Sequence, residues 1–169
     1  MTEDELLDEV DDADTVIGTI WRSKTMRRGS FRNFRVINAF IRNEKGELWV
    51  PRRGPHKRIF PNALDVSVGG HVGAGEAYEL AFERETAEEV GIRLADVVWR
   101  GVAKLTPPQH DVSAFMTVYE IRSDATPDYN RDDFTESWWL TPTQLRTRLA
   151  AGEAAKEYLI KILNQVYPA

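Results

Sequence analysis

Cysteine is absent from this 169-residue chain, which excludes disulfide staples, thiolate metal sites and cysteine nucleophiles together. Long apolar runs are missing too: none approaches the roughly 20 residues that a membrane span needs. The first residues, Met1-Thr2-Glu3-Asp4-Glu5, are acidic where a signal peptide would be basic. The expectation is a cytoplasmic protein with no membrane partner. No internal repeat, low-complexity tract or Pro-rich linker interrupts the chain, so one domain is expected over 1–169, with a core at about 33–150, an N-terminal extension over 1–32 and a closing helix at about 153–166.

Basic residues are too few for a nucleic-acid face. The net charge is −5, and duplex binding would call for clustered Lys and Arg over a whole surface. The charge is unevenly spread, however. Acidic residues crowd Glu3 to Asp14, whereas Arg22 to Arg35 and Arg52 to Arg58 are basic. Solvated faces account for these clusters, and so does local capture of an anionic small molecule. A homodimer joined through the opposite N-terminal stretches also stays open.

What is present reads as alternating strands around one strong helix. Val36-Ile37-Asn38-Ala39-Phe40-Ile41 runs into the turn signal Asn43-Glu44-Lys45-Gly46, and Leu48-Trp49-Val50 resumes the apolar pattern, which predicts a hairpin. Leu64, Val66 and Val68 alternate with Asp65 and Ser67, the period of a half-buried strand that stops at Gly69-Gly70, where a loop is expected to begin. From Glu76 to Val90 there is neither Gly nor Pro, Ala, Leu and Glu dominate, and Gly91 follows as a stop, so this is the central helix. Val97 to Leu105, Ala114 to Ile121 and the short Trp138-Trp139-Leu140 are further strands. Thr141-Pro142-Thr143-Gln144 combines an N-cap threonine, a proline at the first helical position and a capping-box glutamine. In the closing helix Ala154, Tyr158, Ile162 and Val166 recur four apart. The sum is an α/β, or α+β, arrangement.

On the central helix Glu85, Glu88 and Glu89 fall at i, i+3 and i+4, within about one turn. Like charges at this spacing repel, and a hard divalent cation such as Mg²⁺ would offset them, since it takes oxygen ligands and can bridge carboxylates to phosphates. A solvated acidic face has the same spacing. The context separates the two: Gly70 is followed after five residues by Glu76, and after seven more by Arg84-Glu85-Thr86-Ala87-Glu88-Glu89-Val90-Gly91-Ile92. This stretch resembles the signature of the Nudix hydrolase superfamily at every fixed position.

The resemblance implies the Nudix fold, a mixed β-sheet sandwiched between α-helices, and hydrolysis of a phosphoric anhydride bond in a small diphosphate substrate such as a nucleoside di- or triphosphate. It implies that the Gly69 carbonyl joins Glu85, Glu88 and Glu89 in holding Mg²⁺ or Mn²⁺, with Arg84 pairing to these carboxylates. Glu76 either caps helix amides or reaches water on the metal. The general base in the family is a glutamate of the box or of a later loop, so the candidates are Glu88 and Glu136, the latter standing just before Trp138. The basic loop Pro51 to Phe60 lies between hairpin and box. With Arg35, its Arg52, Arg53 and Lys57 are candidate phosphate ligands and Phe60 a stacking surface for a base.

Val10-Asp11 through Val16-Ile17-Gly18, Phe40-Ile41-Arg42-Asn43, Pro51-Arg52-Arg53 and Trp139-Leu140-Thr141-Pro142 are similar to the branch related to isopentenyl-diphosphate isomerases. The usual isomerase of that type needs a catalytic cysteine and a histidine-rich metal site. This chain has no cysteine and only His56, His71 and His110, of which His71, inside the box loop, is either a stray metal ligand or, more simply, a solvent-facing side chain. Hydrolase is therefore preferred over isomerase. It is preferred also over a non-catalytic nucleotide-binding module, which would be free to lose Arg84-Glu85 and Glu88-Glu89.

Overall fold

The computed structural model describes residues 4–27 and 33–169. The hairpin forms as expected from its turn chemistry: β3 (Arg35–Arg42) returns through Gly46, at φ +78°, to antiparallel β4 (Leu48–Arg53). The two strands pair regularly only at Arg42 opposite Leu48. Beyond that point they part. The Ser67 hydroxyl sits between them, accepting from the Ile41 N–H at 2.8 Å and donating to the Trp49 carbonyl at 2.6 Å.

This separation overturns the expected strand Leu64–Val68. That segment threads the gap between β3 and β4. Leu64 and Val66 pack with the core on one sheet face and Val68 with the core on the other. Asp65 and Ser67 are as buried as their apolar neighbours, so the alternation does not mark a half-solvated face. Regular pairing begins only at β5 (Val68–His71), antiparallel to the first half of β3, with Asn38 opposite Gly69. Gly69 and Gly70 are thus strand residues and do not begin a loop.

The remaining strands are β6 (Val98–Leu105), β7 (Phe115–Arg122) and β8 (Phe134–Leu140), the last longer than the tryptophan pair suggested. The sheet order is β6-β7-β3-β4-β8 with β5 also on β3, and β3–β7 is the parallel pair in a mixed sheet. Helix α2 (Tyr78–Val90) covers one face. Its Phe82 stacks on Tyr119 of β7 with centroids 4.0 Å apart and planes 2° from parallel, an aromatic contact worth about 1 kcal/mol beyond its buried area. Gly91 closes the helix in the left-handed conformation, its N–H bonding Ala87 O and that of Ile92 bonding Thr86 O.

The other face is covered by α4 (Pro142–Ala150), opened by the expected Thr141–Gln144 capping box, and α5 (Leu159–Val166). The closing helix starts later than expected at 153, because the chain there is used otherwise: the Leu64 N–H donates to Ala154 O and the Lys156 N–H to Leu64 O, both at 2.8 Å. Tyr158, at φ +71°, then turns the chain into α5.

The N-terminal extension contains a second hairpin, β1 (Leu6–Val10) with β2 (Val16–Trp21), followed by a short helix, α1 (Arg22–Arg27). Sequence patterning did not indicate these strands. Leu7 and Ile20 pack on Phe34 and Ala114, and Ala74 N–H donates to Leu6 O. Its acidic side chains find partners within the chain: Asp4 on Ser23, Asp8 on the Gly75 N–H, and Asp14 on Arg35, Lys104 and the Tyr78 hydroxyl. The part of the basic stretch at 28–32 lies outside the described residues. No described helix is long and apolar enough to cross a membrane.

Ser67→Ala leaves a buried amide and a buried carbonyl without their partner. It should lower stability by about 2 kcal/mol in urea denaturation; a loss below about 0.5 kcal/mol would show that the parted strands do not depend on the hydroxyl.

Candidate active site

Where β3 and β4 part, a cavity of about 660 Å³ opens. One side is polar and carries Gly69, Gly70, Glu85, Glu88 and Glu89; another is apolar, with Val36, Val66, Met116, Leu159 and Ile162. The three glutamates therefore do share a face of α2 and do line one cavity.

They are held in different ways. Glu85 is buried, and its carboxylate accepts from Arg84 at 2.8 Å. Burial lifts its pKa to about 7, which the arginine offsets only in part. Glu89 takes the Gly69 N–H at 2.9 Å. Its surroundings strip enough water that its carboxyl is held well above the ordinary carboxylate range, with Asp65 and Glu85 adding repulsion. Glu88 projects outward, 60% exposed, 3.6 Å from Arg84. Among the described residues no three acidic or histidine side chains stand close enough together to ligate one ion as they are. The three carboxylates share a cavity wall, Glu85 and Glu88 beside Arg84 and Glu89 on the Gly69 N–H.

Arg84 is the hub. Its guanidinium donates to both Glu76 oxygens at 2.9 Å, to Glu85, and to the His71 carbonyl at 3.0 Å. Glu76 also accepts the Gly73 N–H at 3.0 Å, and the hydrogen bonds from Arg84 hold it below the usual carboxylate range. It caps no helix amide; the N-cap position is Ala77. Gly70 has a steric role that composition could not disclose: a Cβ there would overlap the Glu85 carboxyl and approach its Cγ to 2.6 Å.

Sequence reasoning missed Glu5, which the N-terminal hairpin carries to the cavity wall, 3.3 Å from His71 Nδ1. His71 does not face open solvent. It lies against Phe34 with ring centroids 5.5 Å apart, and burial holds its pKa below the usual imidazole value despite Glu5.

The candidate phosphate ligands divide. Arg53, Lys57 and Phe60 line the cavity, but Arg53 is committed to Asp65 at 2.8 Å and Lys57 to Asp133 at 2.5 Å. Arg35 is not among the cavity residues; it pairs with Asp14 at 2.7 Å and lies over Tyr78. Arg52 is also outside, on Glu153 at 2.7 Å and over the Trp138 ring. Glu136 accompanies it: 52% exposed, it faces Arg52 across β4–β8 at 3.4 Å and does not line the cavity. Period-two alternation across a strand pair decided this, since Arg52 and Glu136 are register partners pointing to the side away from the box. Lys156 was missed altogether; it lines the cavity from the segment that joins α4 to α5.

Gly70→Ala should push Glu85 off Arg84 and lower the thermal midpoint by several degrees, in line with an overpacking cost of about 1–3 kcal/mol. Gly101→Ala, where a Cβ meets nothing within 4 Å, should leave it unchanged. Equal midpoints for the two variants would contradict the steric role.

A NUDIX domain family model matches residues 32–161. A Nudix hydrolase of Deinococcus radiodurans is 50% identical over 97% of this chain and 95% of its own length, and an uncharacterised Nudix hydrolase of Nostoc sp. is 52% identical over 96% of each. A crystal structure of a Deinococcus radiodurans protein, 49% identical, superimposes with a TM-score of 0.93 over 96% of this chain and 99% of that one. An isopentenyl-diphosphate Δ-isomerase of Corynebacterium glutamicum matches more weakly, at 28% identity over 90% of this chain and 70% of its own. With the three box glutamates and Gly70 lining one cavity and a family match over residues 32–161, the chain belongs to the Nudix hydrolase family.

Proposed function

We propose that this single-domain protein hydrolyses a phosphoric anhydride bond in a nucleoside di- or triphosphate, or in another nucleoside-diphosphate-linked small molecule, with Mg²⁺ or Mn²⁺. The observation that carries the reading is the pair Glu85 and Glu89. Both face the cavity, and both have their charged form disfavoured by burial. Oxygen donors of that kind suit a hard divalent ion, whose charge offsets the desolvation. Glu85, Glu88, Glu89 and the Gly69 carbonyl would hold it. When bound, such an ion neutralises phosphate charge and makes a water more acidic.

The chain's own groups do the rest. Arg84 restrains Glu85 and, through Glu76 and the His71 carbonyl, ties α2 to β5. Glu88, at the exposed rim, is the better-placed general base, since Glu136 stands outside the cavity. Water oxygen attacks phosphorus, its proton passes to the Glu88 carboxylate, the bridging P–O bond breaks, and the departing phosphate oxygen takes its electron pair. Phe60 offers a face to the substituent, and the apolar wall excludes water. The isomerase reading lacks its acid: the chain has no cysteine.

A panel of nucleoside di- and triphosphates, nucleotide sugars and dinucleoside polyphosphates with Mg²⁺ or Mn²⁺ should yield phosphate, diphosphate or monophosphate from at least one class. Reaction in ¹⁸O-water should place the label on the attacked phosphorus. Glu85→Gln and Glu89→Gln should each cut kcat by about a hundredfold or more. Full activity in both variants, or conversion of isopentenyl diphosphate without phosphate release, would overturn the reading.

A further inference from the structure

Asn38 is 4% exposed, in the middle of β3, and its side chain opens on the cavity, with no hydrogen bond from its amide to another described residue. An amide that opens on a cavity without a partner in the chain keeps both its polar ends for water or a ligand. The amide is turned to the cavity. Asn38 lines it, and its Oδ1 lies 3.2 Å from the point where a Cβ on Gly69 would stand. Lys156 approaches the same point, with Nζ 3.3 Å away, and Val66 Cγ2 closes the third side, also at 3.3 Å.

Lys156 is the loosely held cation next to the box. Its ion-pair partner is Asp65 Oδ1 at 3.6 Å, and Asp65 is already occupied by the Val66 N–H at 2.7 Å and by Arg53 at 2.8 Å. Arg22, the other cavity cation without a close partner, stands 3.6 Å from Glu5 on the wall built by the N-terminal hairpin. The cradle beside Gly69 therefore combines an ammonium with an amide that can rotate to present either oxygen or NH₂. These are two donors for one anionic oxygen.

We infer that Asn38 and Lys156 form the seat for a phosphoryl oxygen of the substrate, in place of Arg52 and Arg53 of the basic loop, which are spent on Asp65, Glu153 and Glu136. The inference rests on the proposed hydrolysis of a diphosphate. A glycine at position 69 keeps the seat open, and the Val66 side leads to the apolar wall, which takes the substituent.

Calorimetric binding of methylenediphosphonate in the presence of Mg²⁺ separates this idea from the hydrolase reading, because the compound is not cleaved. Lys156→Met and Asn38→Asp should each weaken its binding about tenfold or more, as expected for loss of a charge-assisted hydrogen bond. With the best substrate of the panel, KM should rise by a similar factor while kcat stays within about threefold. Asn38→Leu should weaken binding as well, yet hold the thermal midpoint, since the amide it removes bonds to nothing within the chain; a purely structural asparagine would lower it. Binding within about twofold of the unaltered protein in both Lys156→Met and Asn38→Asp, no binding by the unaltered protein, or a drop in midpoint for Asn38→Leu would overturn the seat. Hydrolysis with KM unchanged in the variants would sink the seat alone, whereas binding through these residues without any hydrolysis would sink the hydrolase reading alone.

Discussion

The hydroxyl of Ser67 governs the architecture. By taking one hydrogen bond from β3 and giving one to β4, it satisfies two buried backbone groups that would otherwise pair with each other. A hairpin that stayed zipped would have no room for 64–67 and no cleft. Because it opens, the chain passes from one face of the sheet to the other, β5 docks beside β3, and Gly69 arrives beside Asn38. The cavity is a consequence of that missing stretch of ladder.

On the α2 side, the acidic turn is tolerated because its neighbours divide the charge. Arg84 is drawn among Glu76, Glu85 and Glu88, and a backbone N–H of β5 serves Glu89. Two carboxyls remain disfavoured as anions. Energetically this is a site tuned for something other than stability, a pattern typical of functional positions. The Asn38 amide opens on the same cavity beside Gly69.

The charges of the basic loop teach a different lesson. Arg52, Arg53 and Lys57 each have a carboxylate partner contributed from a distant part of the chain: Glu153, Asp65 and Asp133. Such pairs fix the loop against β8 and against the segment before α5. A cation so engaged is a strut, and drawing it to a phosphate would leave a partly buried carboxylate alone. Lys156, by contrast, sits in a stretch whose backbone is recruited by Leu64, so its position follows from strand pairing and not from its own charge.

Features that depend on neighbours within a turn or two were legible in the residues alone. The end of α2 follows from helix formers closed by Gly91, although the helix begins at Tyr78 and not at Glu76, the start of α4 from Thr141 and Gln144, and the shared face of Glu85, Glu88 and Glu89 from 3.6 residues per turn. Family membership followed from the spacing of Gly70, Glu76 and Arg84 to Ile92, again a local matter. The tertiary structure alone decided what depends on partners far away in sequence: that Ser67 parts the strands, that Glu76 serves Arg84 and not a cap, that Arg35 and Glu136 fall outside the cavity, and that Glu5, Asn38 and Lys156 fall within it. Periodicity reports which face a residue takes within its own element; which other element meets that face is set by packing and long-range backbone pairing, and a linear pattern carries no record of either.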